Sequence, residues 1–313
     1  MDDTTKIIEK IICNIGKVVI GKDKEIKNIL KAIIANGHVL IEDIPGVGKT
    51  TLVKALAKSF NLSYNRIQFT PDLIPSDITG VSIYNQKTME FEFKKGPIFA
   101  NIILADEINR TSPKTQSALL EVMEEKQISE GNNVYKLQKP FLVLATQNPI
   151  EYEGTFSLPE AQLDRFIIKA KIGYVNEQDE LKILKIYKER EPIQEIGEVA
   201  SCEDIIELQK QAAKIYVSDE INRYIVKLVN TTRNHKYLLL GASTRAALAL
   251  LKISQASALI DNRQYVIPED IKENAISVLS HRLILTPSAK ANNYTSESII
   301  KDILNTISIP KVN

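Results

Sequence analysis

The sequence predicts an α/β domain on a parallel sheet, followed by an all-helical domain. Two patterns point there. Five short apolar runs, "HVLIE" (38–42), "NRIQF" (65–69), "NIILA" (101–105), "FLVLAT" (141–146) and "FIIKA" (166–170), are each bounded by turn or polar residues and separated by helical stretches. Such continuous apolar strands belong to a parallel sheet covered on both faces. After about residue 172 the strand signals stop and helical periodicity takes over.

Taken in order, residues 1–35 read as helices, with Ile26, Ile29, Leu30, Ile33 and Ile34 at helical spacing and Asn36-Gly37 as a stop. The first strand, 38–42, runs into a Gly-rich loop, and a helix follows from Thr50 to Phe60 with Leu52, Val53, Leu56 and Phe60 on one side. Between the second and third strands, "VSIYNQKTMEFEFKKG" (81–96) predicts a hairpin with Asn85-Gln86-Lys87 near its tip. Phe91 and Phe93 fit the inner face of that hairpin as well as they fit a contact surface. "TSPKTQSALLEVMEE" predicts a helix with Ser112 as N-cap and Pro113 at its first position. Its Leu119, Val122 and Met123 point inward, and Glu121, Glu124 and Glu125 read as a solvated face. A second small hairpin is expected over 127–140, around Gly131-Asn132-Asn133.

The later helices are expected at 176–190, 203–215, 218–234, 243–260, 268–283 and 295–307. "EREPIQEIGE" (189–198) is the most linker-like stretch, so the domains divide as 1–195 and 196–313. The 313 residues allow two domains and a sizeable core. Forty Lys and Arg against 39 Asp and Glu give no global charge that favours nucleic acid or a membrane surface. Cys13 and Cys202 form no spacing motif, which fits a reduced, cytoplasmic protein. The start "MDDTTKIIEK" lacks a signal-peptide pattern, and no apolar run is long enough to span a bilayer.

The loop "EDIPGVGKT" (42–50) lies between a buried strand and a helix, the context a phosphate loop requires. The helix start offers free backbone N–H groups to phosphate oxygens. Gly46 and Gly48 let the backbone approach the phosphates, Lys49 can bridge them, and Thr50 can ligate Mg²⁺. Asp43 stands where the common pattern has Gly. It either takes a positive φ or hydrogen-bonds loop amides; aimed at a phosphate it would be costly.

"IILADEINR" (102–110) ends a strand in an acidic pair. In parallel register the pair would emerge at the same sheet edge as the loop. Asp106 can hold Mg²⁺ through its waters, and Glu107 can orient the attacking water. The strand at 141–146 ends in Thr146-Gln147-Asn148, where Asn148 could bond that water or the terminal phosphate.

These stretches together resemble the MoxR group of AAA+ ATPases. "EDIPGVGKT", "RIQFTPDLIPSDITG", "GPIFANIILADEINRTSPKTQSALLEVMEE", "TQNPIEYEGTFSLPEAQLDRF" and "GASTRAALALL" match that group's pattern in order, over nearly the whole chain. The resemblance implies an AAA+ αβα core with a five-stranded parallel sheet and β-hairpin inserts, followed by an all-α lid. It implies ATP and Mg²⁺ as ligands, held by Pro45, Gly46, Val47, Gly48, Lys49, Thr50, Thr51 and Asp106. It further implies Lys49 and Thr50 as Walker A, Asp106 and Glu107 as Walker B, and Asn148 as sensor 1. Arg165 in "LDRF" resembles an arginine finger reaching a neighbouring subunit, and Arg245 resembles a sensor 2 that touches the same nucleotide from the lid. "KVVIGKDKEI" (17–26) resembles the adenine-packing segment, through Val19, Ile20 and Gly21.

The family pattern also implies a homo-hexamer that matures or activates client proteins, some carrying von Willebrand factor A domains. The rival expectations are an ATP-binding regulatory module with little turnover, and a metal-chelatase or nucleic-acid-motor subunit. A GTPase lacks support, since no N-K-x-D-like stretch is present.

Overall fold

The computed structural model describes residues 2–131, 133–148 and 155–310. Two amphipathic helices, α1 (Asp2–Gly16) and α2 (Asp23–Ile34), precede strand β1 (His38–Glu42). Then come α3 (Lys49–Ser59), β2 (Tyr64–Gln68), the short α4 (Pro75–Thr79), the hairpin β3 (Gly80–Asn85) and β4 (Glu90–Lys95), and β5 (Ile102–Asp106). Helix α5 (Pro113–Glu125) follows, opened by Ser112, whose Oγ accepts from Thr115 N. A second hairpin, β6 (Gln127–Glu130) and β7 (Asn133–Lys136), leads to β8 (Leu142–Gln147), the one-turn α6 (Glu160–Leu163) and β9 (Phe166–Ala170).

Strands β2-β5-β8-β1-β9 form one five-stranded sheet in that order, with every neighbouring pair parallel. Alternation along the strands splits the core in two. Val39, Ile41, Leu104, Leu144 and Ile168 face α1, α2, α3 and the helical half. Leu40, Ile103, Val143, Ala145 and Phe166 face α5. Asn132, at the tip of the second hairpin, lies outside the described residues. The first hairpin leaves α4 through Gly80, at φ 105°, where a Cβ would meet Lys94 O at 2.3 Å. Phe93 stacks on Tyr135 of the second hairpin with ring centroids 4.3 Å apart, so the hairpins pack on each other. Phe91 points away, 74 % exposed.

Beyond β9 run α7 (Glu177–Glu189), α8 (Pro192–Glu195), α9 (Cys202–Ala213), α10 (Asp219–Arg233), β10 (Leu238–Leu240), α11 (Thr244–Ile260), α12 (Pro268–Leu279), β11 (Ile284–Leu285), α13 (Pro287–Ala291) and α14 (Ser296–Thr306). The expectation of helices alone after residue 172 needs one correction: β10 and β11 pair antiparallel. Strands of three and two residues carry no readable period. Helix α12 also stops at Leu279 rather than 283, giving way to a tighter turn over Ser280–Arg282. That turn seats Arg282 against Phe166 O and Ile167 O, at the start of β9. Helices α11 and α12 pack on α2 and β9, so the helical half shares the first core rather than having one to itself.

Candidate nucleotide site

The three central strands β5, β8 and β1 end side by side, and their carboxyl ends carry the predicted residues. The loop after β1 holds Gly46 and Gly48 at φ 85°, with open space where each Cβ would be. Gly48 is also the N-cap of α3 and supplies no side chain to its first N–H groups. Those donors, with the positive end of the helix, form an anion cradle. Lys49 Nζ donates to Asp43 O at 3.0 Å and Ile44 O at 3.2 Å, which holds the ammonium inside the curve of the loop.

Asp43 resolves the irregular first position. It is absent from the described residues with positive φ. Its buried carboxylate accepts from Ile44 N at 2.9 Å and from both Ile172 N and Gly173 N at 2.6 Å. The acid latches the loop to the segment after β9 and is not aimed at a phosphate.

At the end of β5, the buried Asp106 accepts Thr146 Oγ1 at 2.6 Å on one oxygen and Arg66 Nη2 at 2.6 Å on the other. Thr146 Oγ1 in turn accepts from Glu107 N at 2.8 Å, tying β8 to the acidic pair. Glu107 has left-handed backbone, φ 59° and ψ 48°, a conformation a non-glycine residue adopts at a cost. Its Oε2 accepts from Gln68 Nε2 at 2.8 Å and Arg110 Nη1 at 2.9 Å. Asn148, buried at the end of β8, emerges between this pair and the loop.

The cradle fits a nucleotide triphosphate: free helix N–H groups, glycines open to a ligand, and a lysine. Among the described residues no cluster of three or more His, Cys, Asp or Glu could hold a metal alone. That suits Mg²⁺, which takes one or two protein oxygens and fills its shell with phosphate and water; Thr50 and Asp106 are the oxygens that could reach it.

The 17–22 segment lies beside the loop. Val19 is buried in the main core, Ile20 is half-buried, and Gly21, at φ 72°, sits against Asp179 of α7. Lys22 Nζ donates to Ile172 O at 2.6 Å and Tyr174 O at 2.8 Å, fixing the segment to the strip that Asp43 holds.

Arg165 and Arg245 are elsewhere. Arg165 Nε donates to Glu124 Oε2 at 2.8 Å, and Arg245 Nη2 to Glu124 Oε1 at 2.5 Å. Glu124 follows Met123, whose carbonyl meets His38 Nε2 at 3.1 Å, and His38 is the first residue of β1. The arginine pair therefore marks the amino edge of the sheet, a strand's length of about 15 Å from the loop. Arg245 stands with Arg165, because Ser243, which caps α11, is anchored to Asp164, the residue before Arg165, at 2.9 Å. The reading of Glu124 as merely solvated is corrected. The Arg165 hydrogen bond foremost, with Arg245 adding and burial partly opposing, holds its carboxyl below the usual range.

Sequence reasoning missed Gln68, Arg66 and Arg110 as partners of the acidic pair. Alternation in "NRIQF" does place Arg66 and Gln68 on one face, but only the register Gln68↔Asp106 brings that face to the site.

A family model described as the ATPase family associated with various cellular activities matches residues 38–168, and an AAA lid domain model matches 230–303. Chaperone MoxR1 of Mycobacterium tuberculosis is 41% identical over 98% of this chain and 83% of its own length. The chain is a MoxR-family AAA+ ATPase. The chain is also 50% identical to the uncharacterized protein YeaC of Bacillus subtilis, over 99% of this chain and 97% of YeaC. A crystal structure of a provisionally assigned ATPase from Cytophaga hutchinsonii superposes with a TM-score of 0.93 at 44% identity, covering 99% of this chain and 96% of that one. Membership of the MoxR-family ATPases implies that the chain binds a nucleotide. No helix among the described residues is long and apolar enough to cross a membrane.

Proposed function

We propose that the protein hydrolyses ATP with Mg²⁺ in a ring of identical subunits and uses the cycle to mature, assemble or activate client proteins in the cytoplasm. One observation carries the reading: the groups that bind and activate lie at the carboxyl edge of the sheet, while Arg165 and Arg245 are paired at the amino edge. A single subunit therefore does not bring its arginines to its own loop. In a head-to-tail ring the arginine edge of one subunit meets the loop edge of the next.

Within that site the loop amides, Gly46, Gly48 and Lys49 hold the phosphates, flanked by Pro45, Val47 and Thr51. Val19, Ile20 and Gly21 border the base. Bound Mg²⁺ would supply charge neutralisation on the terminal phosphates. Glu107, freed from Gln68 and Arg110, orients water, and Asn148 fixes the water or phosphate from the adjoining strand. The neighbour's Arg165 and Arg245 neutralise charge that grows as the terminal phosphoryl leaves. In this reading the chain divides at residue 195 into a nucleotide-binding core and a helical lid, and closure on ATP and release after hydrolysis rotate lid against core and move the hairpins against the client. The chaperone name of the mycobacterial relative supports the client role; a hexamer and von Willebrand factor A partners are the finer form of the same proposal.

A second reading, an ATP-binding module with little turnover, has one observation behind it: Glu107 Oε2 is already engaged twice. The experiment is ATP turnover per subunit against protein concentration, with Glu107→Gln as blank. Rising specific activity supports the shared site, and activity equal to the blank supports the module. Mixing inactive Lys49→Ala with inactive Arg165→Ala should restore turnover; no rescue in demonstrably mixed rings would overturn the assignment of Arg165.

A further inference from the structure

Arg282 closes the turn that follows α12, and its side chain is buried. A buried cation is tolerated only when it is paired and hydrogen-bonded, and this one is both. Its Nε donates to Asp164 Oδ1 at 2.7 Å. Nη2 donates to Asp164 O at 3.2 Å and to Phe166 O at 2.6 Å. Nη1 donates to Ile167 O at 3.2 Å and to Val278 O. Every N–H of the guanidinium fork is thus spent, and all but one of them on the chain between Asp164 and Ile167.

Those partners bracket Arg165. The carbonyls of Asp164 and Phe166 stand immediately before and after it, so the backbone that carries the finger is held from the helical half. A joint that only fastened the helical half to the sheet would be served by the carbonyls of β9. The bonds to Asp164 go beyond the strand, to the residue that precedes the finger. The Asp164 carboxylate also serves the second arginine. Oδ1 takes Arg282, and Oδ2 takes the Oγ of Ser243, which caps the helix that carries Arg245. Glu124 joins the heads of the two arginines, and Asp164 joins their roots. The side chains of Arg165 and Arg245 remain 28 % and 50 % exposed, whereas that of Arg282 is 3 % exposed. Arg282 therefore does not reach a neighbouring molecule itself; it acts through what it holds.

We propose that Arg282 is the positioning residue of Arg165: through Arg282 and Asp164, the helical half of each subunit sets where that subunit's finger points. The proposal rests on the shared-site reading above and adds the part that aims the finger. A lid that turns against its core pulls on the carbonyls flanking Arg165, so the charge delivered to one site follows the lid of the adjacent subunit.

Arg282→Lys keeps the charge and loses the fork. In rings of wild-type mass, its turnover at saturating ATP should fall roughly tenfold or more, with KM for ATP and nucleotide binding by dilute subunits unchanged. Mixed rings separate aiming from general damage. A subunit with a misaimed finger still has a sound nucleotide site. Lys49→Ala, which lacks the site and keeps the finger, should therefore rescue Arg282→Lys. Arg165→Ala, which lacks the finger as well, should not. Asp164→Asn keeps an acceptor for Ser243 and loses the ion pair; it should show the same pattern, and it takes over the test should the lysine variant misfold. The proposal is overturned by wild-type turnover in Arg282→Lys, by a loss of binding in step with turnover, or by rescue from Arg165→Ala. It is equally overturned if Lys49→Ala gives no rescue in mixed rings where Lys49→Ala and Arg165→Ala rescue each other. If that last pair fails, the shared site itself is lost and this proposal falls with it, an outcome read without any change to Arg282.

Discussion

Gln68 Nε2 donates a 2.8 Å hydrogen bond to Glu107 Oε2, from an edge strand to the residue assigned to the attacking water. The bond holds the carboxylate towards β2, and Arg110 grips the same oxygen. Removing Gln68 should therefore ease the catalytic swing. Gln68→Ala is expected to raise basal ATP turnover roughly two- to tenfold, the range a net hydrogen bond spans. Steady-state turnover with unchanged nucleotide affinity is the readout. Unchanged or lower turnover would mean that Gln68 supports the carboxylate rather than restrains it.

Glu124 aligns two arginines with one carboxylate. The pairs are partly solvated, so Glu124→Ala should cost less than about 1 kcal/mol of stability. Turnover should fall more than stability, by roughly tenfold, because misplaced charge stabilises a transition state poorly. Nucleotide binding by dilute subunits should be unchanged. Equal loss of binding and turnover would move Glu124 from arginine positioning to general folding.

Asp43→Gly restores the commoner loop pattern but removes an acceptor of three backbone N–H groups. Leaving buried donors unpaired costs about 1–3 kcal/mol. The variant should be less stable by that order in urea unfolding and should bind ATP more weakly, since the latch also positions the loop. A variant of wild-type stability and affinity would show the latch to be dispensable.

His38 is buried and neutral. Val143 N donates to its Nδ1 at 3.0 Å, and Nε2 donates to Met123 O. Burial lowers its pKa from 6.5 to about 4. The unfolded chain therefore takes up the proton first. Stability is fully present above pH 6.5 and drains as pH falls towards 4, by up to about 3 kcal/mol for this group. His281, whose pKa burial also depresses, acts in the same direction. Urea unfolding at pH 7.5 and at pH 5 should show the loss, and His38→Gln should flatten the slope while lowering the plateau. A slope unchanged in His38→Gln would assign the acid sensitivity to other groups.

The sequence by itself determined what depends on neighbours along the chain. The glycine loop between strand and helix, the strand ending in Asp106 and Glu107, the Ser112 cap and both hairpins follow from residue type and spacing within about twenty positions. The sheet's parallel character was legible too, since five apolar runs without alternation suit burial on both faces. Tertiary structure decided the rest. Whether Asp43 takes a positive φ or hydrogen-bonds amides depended on a strip 129 residues away. That Glu124 is an ion-pair hub rather than a solvated side chain depended on partners 41 and 121 residues away. The placing of Arg245 beside Arg165 depended on how α11 packs against α2 and β9. Local periodicity reports which face of an element is apolar. It does not report which other element covers that face, and the separation of the arginines from the loop is a property of that choice.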